Sequence, residues 1–354
     1  MTLLYVDSFD HYDTIHIESK GWGRSFPAGS HEIALVSGRR ATNCLSNDSS
    51  SNGTSIVHNI SSSSSAILGC AMNITGTFGS NRTLLAFQND SGAVHCQLVT
   101  TGSDQLQLRI GSDPSSGTVL DTTGASAFPL GAYSYYEFKL IPSDQVTGGL
   151  VEVKKDGLVI LTSTAANTLQ ADLSIASFQA AKGYNASVIF TDDLYCLNLE
   201  GSDNNDYLGD VRVDALFSDN DGATVNFVPN VSGGNHEMVD DTTIPDDDAT
   251  FVEAGTITDR DLYSVDSASL GTEIHGVQQC VLSRKTDAGT VNIAVITEKP
   301  GGSGERTTIV DSTASETYNY NLGVLESDPD DSTVWTDGKI NATEYGFRVD
   351  NIIT

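Results

Sequence analysis

The adjacent carboxylates Asp192 and Asp193 open the stretch DDLYCLNLEGSDNNDYLGDVRVD (residues 192–214) and are the first residues that could do chemistry. Paired carboxyls cleave glycosidic bonds when they face one groove, about 5–5.5 Å apart for retention or about 6.5–9.5 Å for inversion. On one strand that requires positions two apart, because alternate residues share a face. Asp192 and Asp193 are neighbours and by this rule point to opposite faces, while Glu152 stands alone in its hairpin. The carboxylates read as hinge and rim residues, and no catalytic residue is expected.

Oxygen-rich turns offer a second chemistry. FSDNDGATVNF places Asp219, Asp221 and Gly222 like the start of a calcium loop, but Ala223 takes the fifth position and Asn230 the twelfth, where a bidentate Glu is required. Asp246, Asp247, Asp248, Asp203 and Asp206 could also supply oxygens. A structural calcium at Asp219 and Asp221 is weighed against solvated turn carboxylates, and otherwise no metal or cofactor is expected. There is no Gly-x-Ser-x-Gly elbow, and neither His236 nor His275 has a signalled Ser or Cys partner. Gly301-Gly302-Ser303-Gly304 lacks the Lys of a phosphate loop. Tyr133, Tyr135 and Trp22 are candidates for a sugar-stacking platform, which needs flat exposed rings. The competing reading puts Tyr136 and Phe138 on a core face with Tyr133 and Tyr135 lining the other.

The chain has 354 residues and a net charge of −29, unevenly spread. Residues 1–198 carry 17 acidic and 10 basic side chains, residues 199–354 carry 30 and 8. Such a surface repels phosphate backbones, so nucleic acid is not an expected partner. The five cysteines are odd in number, widely spaced and without a CxxC pair, which fits buried thiols in a chain folded under reducing conditions. The N-terminal MTLLYVDSFD lacks the features of a signal peptide, and no segment approaches the ~20 apolar residues of a membrane helix. A polar, Ser/Thr/Asn-rich chain folded in a cytoplasm and exposed later is consistent with a particle released by lysis.

The elements that must position these residues are strands. Short apolar or alternating runs recur at LLYV (3–6), AILGCAMNI (66–74), LLAF (84–87), LQLRI (106–110) and YYEFKLI (135–141). GGLVEVKKDGLVILTST (148–164) predicts a β-hairpin reversing at Lys155-Asp156-Gly157, with Gly157 supplying positive φ. Residues 46–65 predict a long polar loop, and 166–181 fits either a helix or two short strands. A short helix is expected at 336–344, capped by Thr336 or Asp337. The fold class is all-β: two sandwich, jelly-roll-like domains, at 1–198 and 199–354, with one or two short helices.

The order FDHYD, AILGCAMNITG, LLAFQNDSGAVHCQLVTTGSDQLQLRIG, YSYYEFKLIPSDQVTGGLVEVKKDGLVI and NASVIFTDDLYCLN resembles the concanavalin A-like or laminin-G-like sandwich. The Glu-x-Asp-x-(x)-Glu strand of the glucanases with that fold is absent. NNDYLGDVRVD, NHEMVDD, DRDLYSVD, RKTDAGT and VWTDGKINATEYGFRV are similar to virion structural proteins of tailed bacteriophages. That resemblance implies a surface-exposed, non-enzymatic accessory component of head, collar or tail, homo-oligomeric and bound to other virion proteins, located in the virion without membrane insertion. The alternative is a module that attaches the particle to a host surface glycan.

Overall fold

The computed structural model describes residues 3–353 apart from 25–31, 41, 49–54, 77–78, 126–128, 146–147, 165–167, 169–171, 183–186, 243, 272, 287–288 and 301–303. It is built almost wholly of antiparallel strands. Among the described residues α-helix is confined to Asp337–Ala342, with single 3-10 turns at Thr14–His16 and His236–Met238. The chain divides into two compact units, Met1–Val213 and Asp214–Thr354, so the division lies at 213/214 where the sequence reading places it at 198/199.

The first unit is a sandwich of two sheets. One runs from edge to edge through Leu158–Ser163, Leu150–Lys155, Ser134–Ile141, Ala66–Thr75, Val188–Leu197, Asn43–Asp48 and Glu32–Ser37, with Leu3–Asp7 also pairing to Val188–Leu197. The other runs through Thr118–Thr122, Leu106–Ile110, Val94–Thr100, Arg82–Gln88, Ile175–Lys182, Ser55–Ser63 and Trp22–Arg24. Alternation decides which side chains meet between them. Phe138 stacks on Phe87 of the opposite sheet with ring centroids 5.1 Å apart, which sends Tyr136 and Leu140 inward with it and turns Tyr135, Glu137 and Lys139 outward. At the other end of the core Trp22 packs edge to face against Tyr5, His58 and Phe178, and His58 stacks on Phe178. Burial lowers His58 to about 4, so it is a neutral ring in an aromatic cluster. Asp7 anchors this end, accepting from Tyr5 Oη at 2.6 Å, Tyr12 Oη at 2.8 Å, Trp22 Nε1 at 3.1 Å and the Phe9 amide at 2.9 Å. Burial opposes its charge, yet Lys20 and these donors hold its carboxyl below the usual range. The thiols of Cys70, Cys96 and Cys196 are buried, and burial pushes that of Cys96 up to about 12.

Local signals account for several elements. The hairpin forms as Leu150–Lys155 and Leu158–Ser163, with Asp156 at φ 47° and Gly157 at φ 79° between them. The helix Asp337–Ala342 starts at Thr336, whose side chain accepts from the Lys339 amide. The polar stretch 46–65 is different from its expected loop: Asn43–Asp48 and Ser55–Ser63 are strands, while 49–54 lies outside the described residues. Serine is small enough to sit on either face, so Ser61 and Ser62 remain exposed while Ile56 and His58 are buried and hold the register. In 166–181, Ile175–Lys182 is a strand, and part of the remainder lies outside the described residues.

The second unit has a five-stranded sheet, Ser218–Val225, Arg260–Val265, Glu344–Ile353, Thr290–Glu298 and Arg306–Thr313, and two-stranded pairs at Val277–Ser283/Asn319–Leu325 and Val228–Pro229/Val252–Glu253. Among the described residues Leu262, Ala294 and Ile296 form one buried apolar cluster, and Ala268, Trp335 and Ile340 another, against which the partly buried Leu216, Val265, Leu270, Ile274, Val277 and Leu325 pack.

Candidate functional site

The polar chemistry of the first unit gathers on the outward face of its first sheet. Pairing sets the rows: Lys154 lies opposite Glu137, Glu137 opposite Gly69 and Gly69 opposite Tyr195, while Glu152 lies opposite Lys139. Tyr195 Oη donates to Glu137 Oε1 at 2.5 Å. Gly69 makes room for this pair, since a Cβ there would run into the Tyr195 ring. Glu137 and Tyr195 are both 1% exposed. Burial beside the Glu137 carboxylate raises the Tyr195 phenol well above its ordinary value, so it stays a hydrogen-bond donor at any physiological pH.

Residues 206–213 lie along this face without pairing into the sheet. Asp206 Oδ1 accepts from Lys139 Nζ at 3.0 Å. Tyr207 donates to Glu152 Oε1 at 3.0 Å, and its ring lies under Lys154 Nζ, 3.7 Å from the centroid, with Lys139 Nζ at 5.0 Å. The Leu208 amide donates to Tyr195 Oη at 3.3 Å and the Gly209 amide to Glu137 Oε1 at 2.8 Å, the latter with Gly209 at φ 80°. Arg39 grips Asp210 with both Nη atoms, at 2.7 and 2.6 Å, and the Val213 amide donates to Asp193 Oδ1 at 2.9 Å. These bonds are why Tyr207 to Val213, expected to begin the second unit, belong to the first.

Asp192 and Asp193 do not diverge. The register shifts between Asp192 and Tyr195, and Asp193 takes a left-handed φ of 49°, a bulge that breaks the alternation. Both carboxylates consequently turn to one residue. Asp192 Oδ2 accepts the Arg39 amide at 2.8 Å, and Asp193 Oδ2 lies 3.3 Å from Arg39 Nη1 and 3.5 Å from Arg40 Nε. Burial pushes Asp192 up to about 7, with the Asp193 charge adding to the rise. Burial also raises Asp193, opposed by the Val213 amide and by Arg40 and Arg39. The face thus combines a carboxyl that exchanges protons near neutrality, a phenol–carboxylate pair, and a set of cations.

The sugar-platform candidates sit elsewhere or inward. Trp22 is 1% exposed, with Nε1 bonded to Asp7, and Tyr135 is 2% exposed, donating to the Asp193 carbonyl at 2.9 Å. Neither offers a free ring face, which corrects that expectation: inward Trp22 fills the aromatic cluster, and outward Tyr135 is sealed beneath the Arg39 guanidinium, 5.7 Å above its ring. Tyr133 is half-buried. Asp219 and Asp221 lie on a strand rather than in a cation loop, because Ser218–Val225 pairs with Arg260–Val265. Asp219 accepts from Ser264 Oγ at 2.6 Å, and Asp221 accepts the His236 amide at 2.7 Å. Among the described residues no group of three or more His, Cys, Asp or Glu is gathered to hold a metal ion.

Sequence reasoning passed over Glu137, Lys139, Tyr195, Arg39, Tyr207 and Asp210. One signal was present: once Phe138 is placed inward, Tyr135, Glu137 and Lys139 form an outward row on a strand that is otherwise buried.

No known family matches the chain, and no curated protein matches it. Several solved structures are similar to about half of this chain. Cellulose induced protein Cip1 is 13% identical at a TM-score of 0.40, over 51% of this chain and 91% of that one. Alginate lyase Aly36B is 10% identical at 0.41, over 55% and 96%. A carbohydrate esterase from the Shiga toxin-encoding bacteriophage phi24B is 13% identical at 0.35, over 55% and 99%.

Proposed function

We propose that the chain is a particle-borne recognition protein, in which the first unit binds glycan through the outward face of its first sheet and the second unit joins it to copies of itself and to neighbours in a tailed-phage virion. The observation that supports this reading is the outward row of Tyr195, Glu137, Lys139, Glu152 and Lys154, backed by Arg39. A sheet face with nothing to bind needs only scattered solvated side chains. This one instead carries donors and acceptors held in fixed geometry by cross-strand pairing and met by residues 206–213, the arrangement that a hydroxyl-rich ligand taking the place of that segment requires. The virion assignment is supported by the sequence resemblance of residues 204–349.

The test is a glycan array probed with the intact chain, alongside Lys139→Ala and Lys154→Ala. Binding that both substitutions weaken by tenfold or so, the cost of one lost charged hydrogen bond, is the expected result. Binding to no glycan class, or binding that neither substitution alters, would sink the glycan reading. A catalytic reading is favoured by one observation, the Asp192 carboxyl poised near neutrality beside Arg39. It predicts slow depolymerisation of an array ligand that Asp192→Asn abolishes.

A further inference from the structure

We infer that residues 206–213 act as an internal acidic ligand, occupying the place on the first sheet where an extended acidic polysaccharide, a polyuronate, binds. The inference rests on the glycan-binding reading above and names its substrate class.

The chemistry of the segment carries it. Asp206, Tyr207 and Asp210 present a carboxylate, a ring bearing a hydroxyl, and a second carboxylate along one stretch of chain. Each meets a sheet group of matching kind: Lys139 for Asp206, Glu152 and Lys154 for the hydroxyl and ring of Tyr207, and the two Nη atoms of Arg39 for Asp210. A uronate chain consists of rings that carry hydroxyls and carboxylates. A guanidinium fork receives a carboxylate in two parallel hydrogen bonds, a geometry neutral sugars cannot use. Cations are also scarce in this chain, at 18 against 47 acidic residues, yet Arg39, Arg40, Lys139 and Lys154 lie on this face, among the carboxylates Glu137, Glu152, Asp192 and Asp193.

The same contacts make the segment displaceable. It has no β-ladder pairing, and its amides at Leu208, Gly209 and Val213 donate to side chains. The Asp206 and Asp210 side chains are 67% and 48% exposed, while Lys139 and Arg39 beneath them are 13% and 19% exposed. The exposed single contact between Lys139 and Asp206 holds weakly, and the two-pronged Arg39–Asp210 pair is exchanged for another carboxylate rather than simply lost. The cations are therefore preorganised and desolvated on the sheet side, and the covering carboxylates are solvated and exchangeable. A polymer presenting many carboxylates competes for these cations at high local concentration. Apparent affinity is then the intrinsic affinity multiplied by the fraction of time the segment is unseated.

The experiment uses the full chain with polygalacturonate and neutral dextran as probes. The triple variant Asp206→Asn, Tyr207→Ala, Asp210→Asn should bind polygalacturonate about tenfold more tightly than the unaltered chain. Adding Lys139→Ala and Lys154→Ala should abolish that gain. In the unaltered chain, saturating polygalacturonate should speed hydrogen exchange at the Gly209 and Val213 amides, a readout that does not depend on any variant folding. Unchanged or slower exchange at those amides, or a folded triple variant with no gain, overturns the inference. Binding of dextran in preference to polygalacturonate overturns the acidic class and leaves the glycan reading standing. A chain that binds no glycan on the array removes both.

Discussion

The two units solve the same problem with different materials. In the first, aromatic and aliphatic side chains from two large sheets interleave, as in Phe87 against Phe138 and Tyr5 against Trp22. In the second, 26 acidic side chains face 7 basic ones, a net charge of −19, and among the described residues each of two apolar clusters has three buried members, one of them ringed by partly buried side chains. Polar stitching fills in. Buried Asp261 accepts from the Asn226 and Phe227 amides at 2.6 and 2.8 Å, from Asn235 Nδ2 at 2.6 Å and from Tyr263 Oη at 2.8 Å. Glu305 bridges Arg260 and Arg348. The difference teaches that apolar burial yields net stability per residue, whereas a satisfied polar network mainly selects one arrangement and returns little beyond its desolvation cost.

The comparison breaks most sharply at the cores. Phe138→Ala should cost about 3–5 kcal/mol in urea unfolding of the first unit, and Leu262→Ala, from the smaller cluster, about 2–3 kcal/mol in the second. An equal or larger cost for Leu262→Ala would show that the second core is as tightly packed as the first. Asp261→Asn should cost about 2–3 kcal/mol, because a charged acceptor of four donors becomes a neutral one. A change below about 0.5 kcal/mol would show that the network does not hold the unit together.

Titration gives a smaller effect confined to the first unit. Asp192 is raised to about 7, so between about pH 4 and pH 7 the folded chain holds a proton that the unfolded chain has lost. Its contribution to stability is therefore fully present below about pH 4 and lost as pH rises through 7, by on the order of 1–3 kcal/mol. Asp7 has the opposite sign: its lowered carboxyl stabilises the fold above about pH 4, and that contribution is lost on further acidification. Calorimetry at pH 5 and pH 8 (roughly either side of the Asp192 transition) should show the slope in the unaltered chain and a flattened one in Asp192→Asn. The smallest expected effect is that of salt. Raising NaCl from about 0.02 to about 0.5 M should lift the melting temperature of the second unit by a few degrees and the first by less, since screening relieves like-charge repulsion. Equal shifts would remove charge from the comparison.

Much of the fold was legible wherever structure is local. The Lys155-Asp156-Gly157 reversal, the Thr336 cap and the inward placing of Tyr136 and Phe138 follow from turn chemistry, capping and a period of two. The serine-rich strand Ser55–Ser63 was illegible because serine carries no inside-or-outside preference strong enough to reveal alternation. The outward face was half legible: its residues could be placed on a strand, but their cover could not.

The sequence by itself determined the all-β class, the excess of acid in the C-terminal half and the local turns, since each depends on neighbours a few positions apart. Only the tertiary structure brought Asp192 and Asp193 together on Arg39, across a separation of 153 residues for the Asp192 bond, and laid Asp206 to Val213 over Glu137 and Tyr195. The reason is physical. A bulge cancels the alternation that sequence reading relies on, and a strand order that places Val188–Leu197 between Ala66–Thr75 and Asn43–Asp48 is a property of the assembled sheet, set by packing that no single segment encodes.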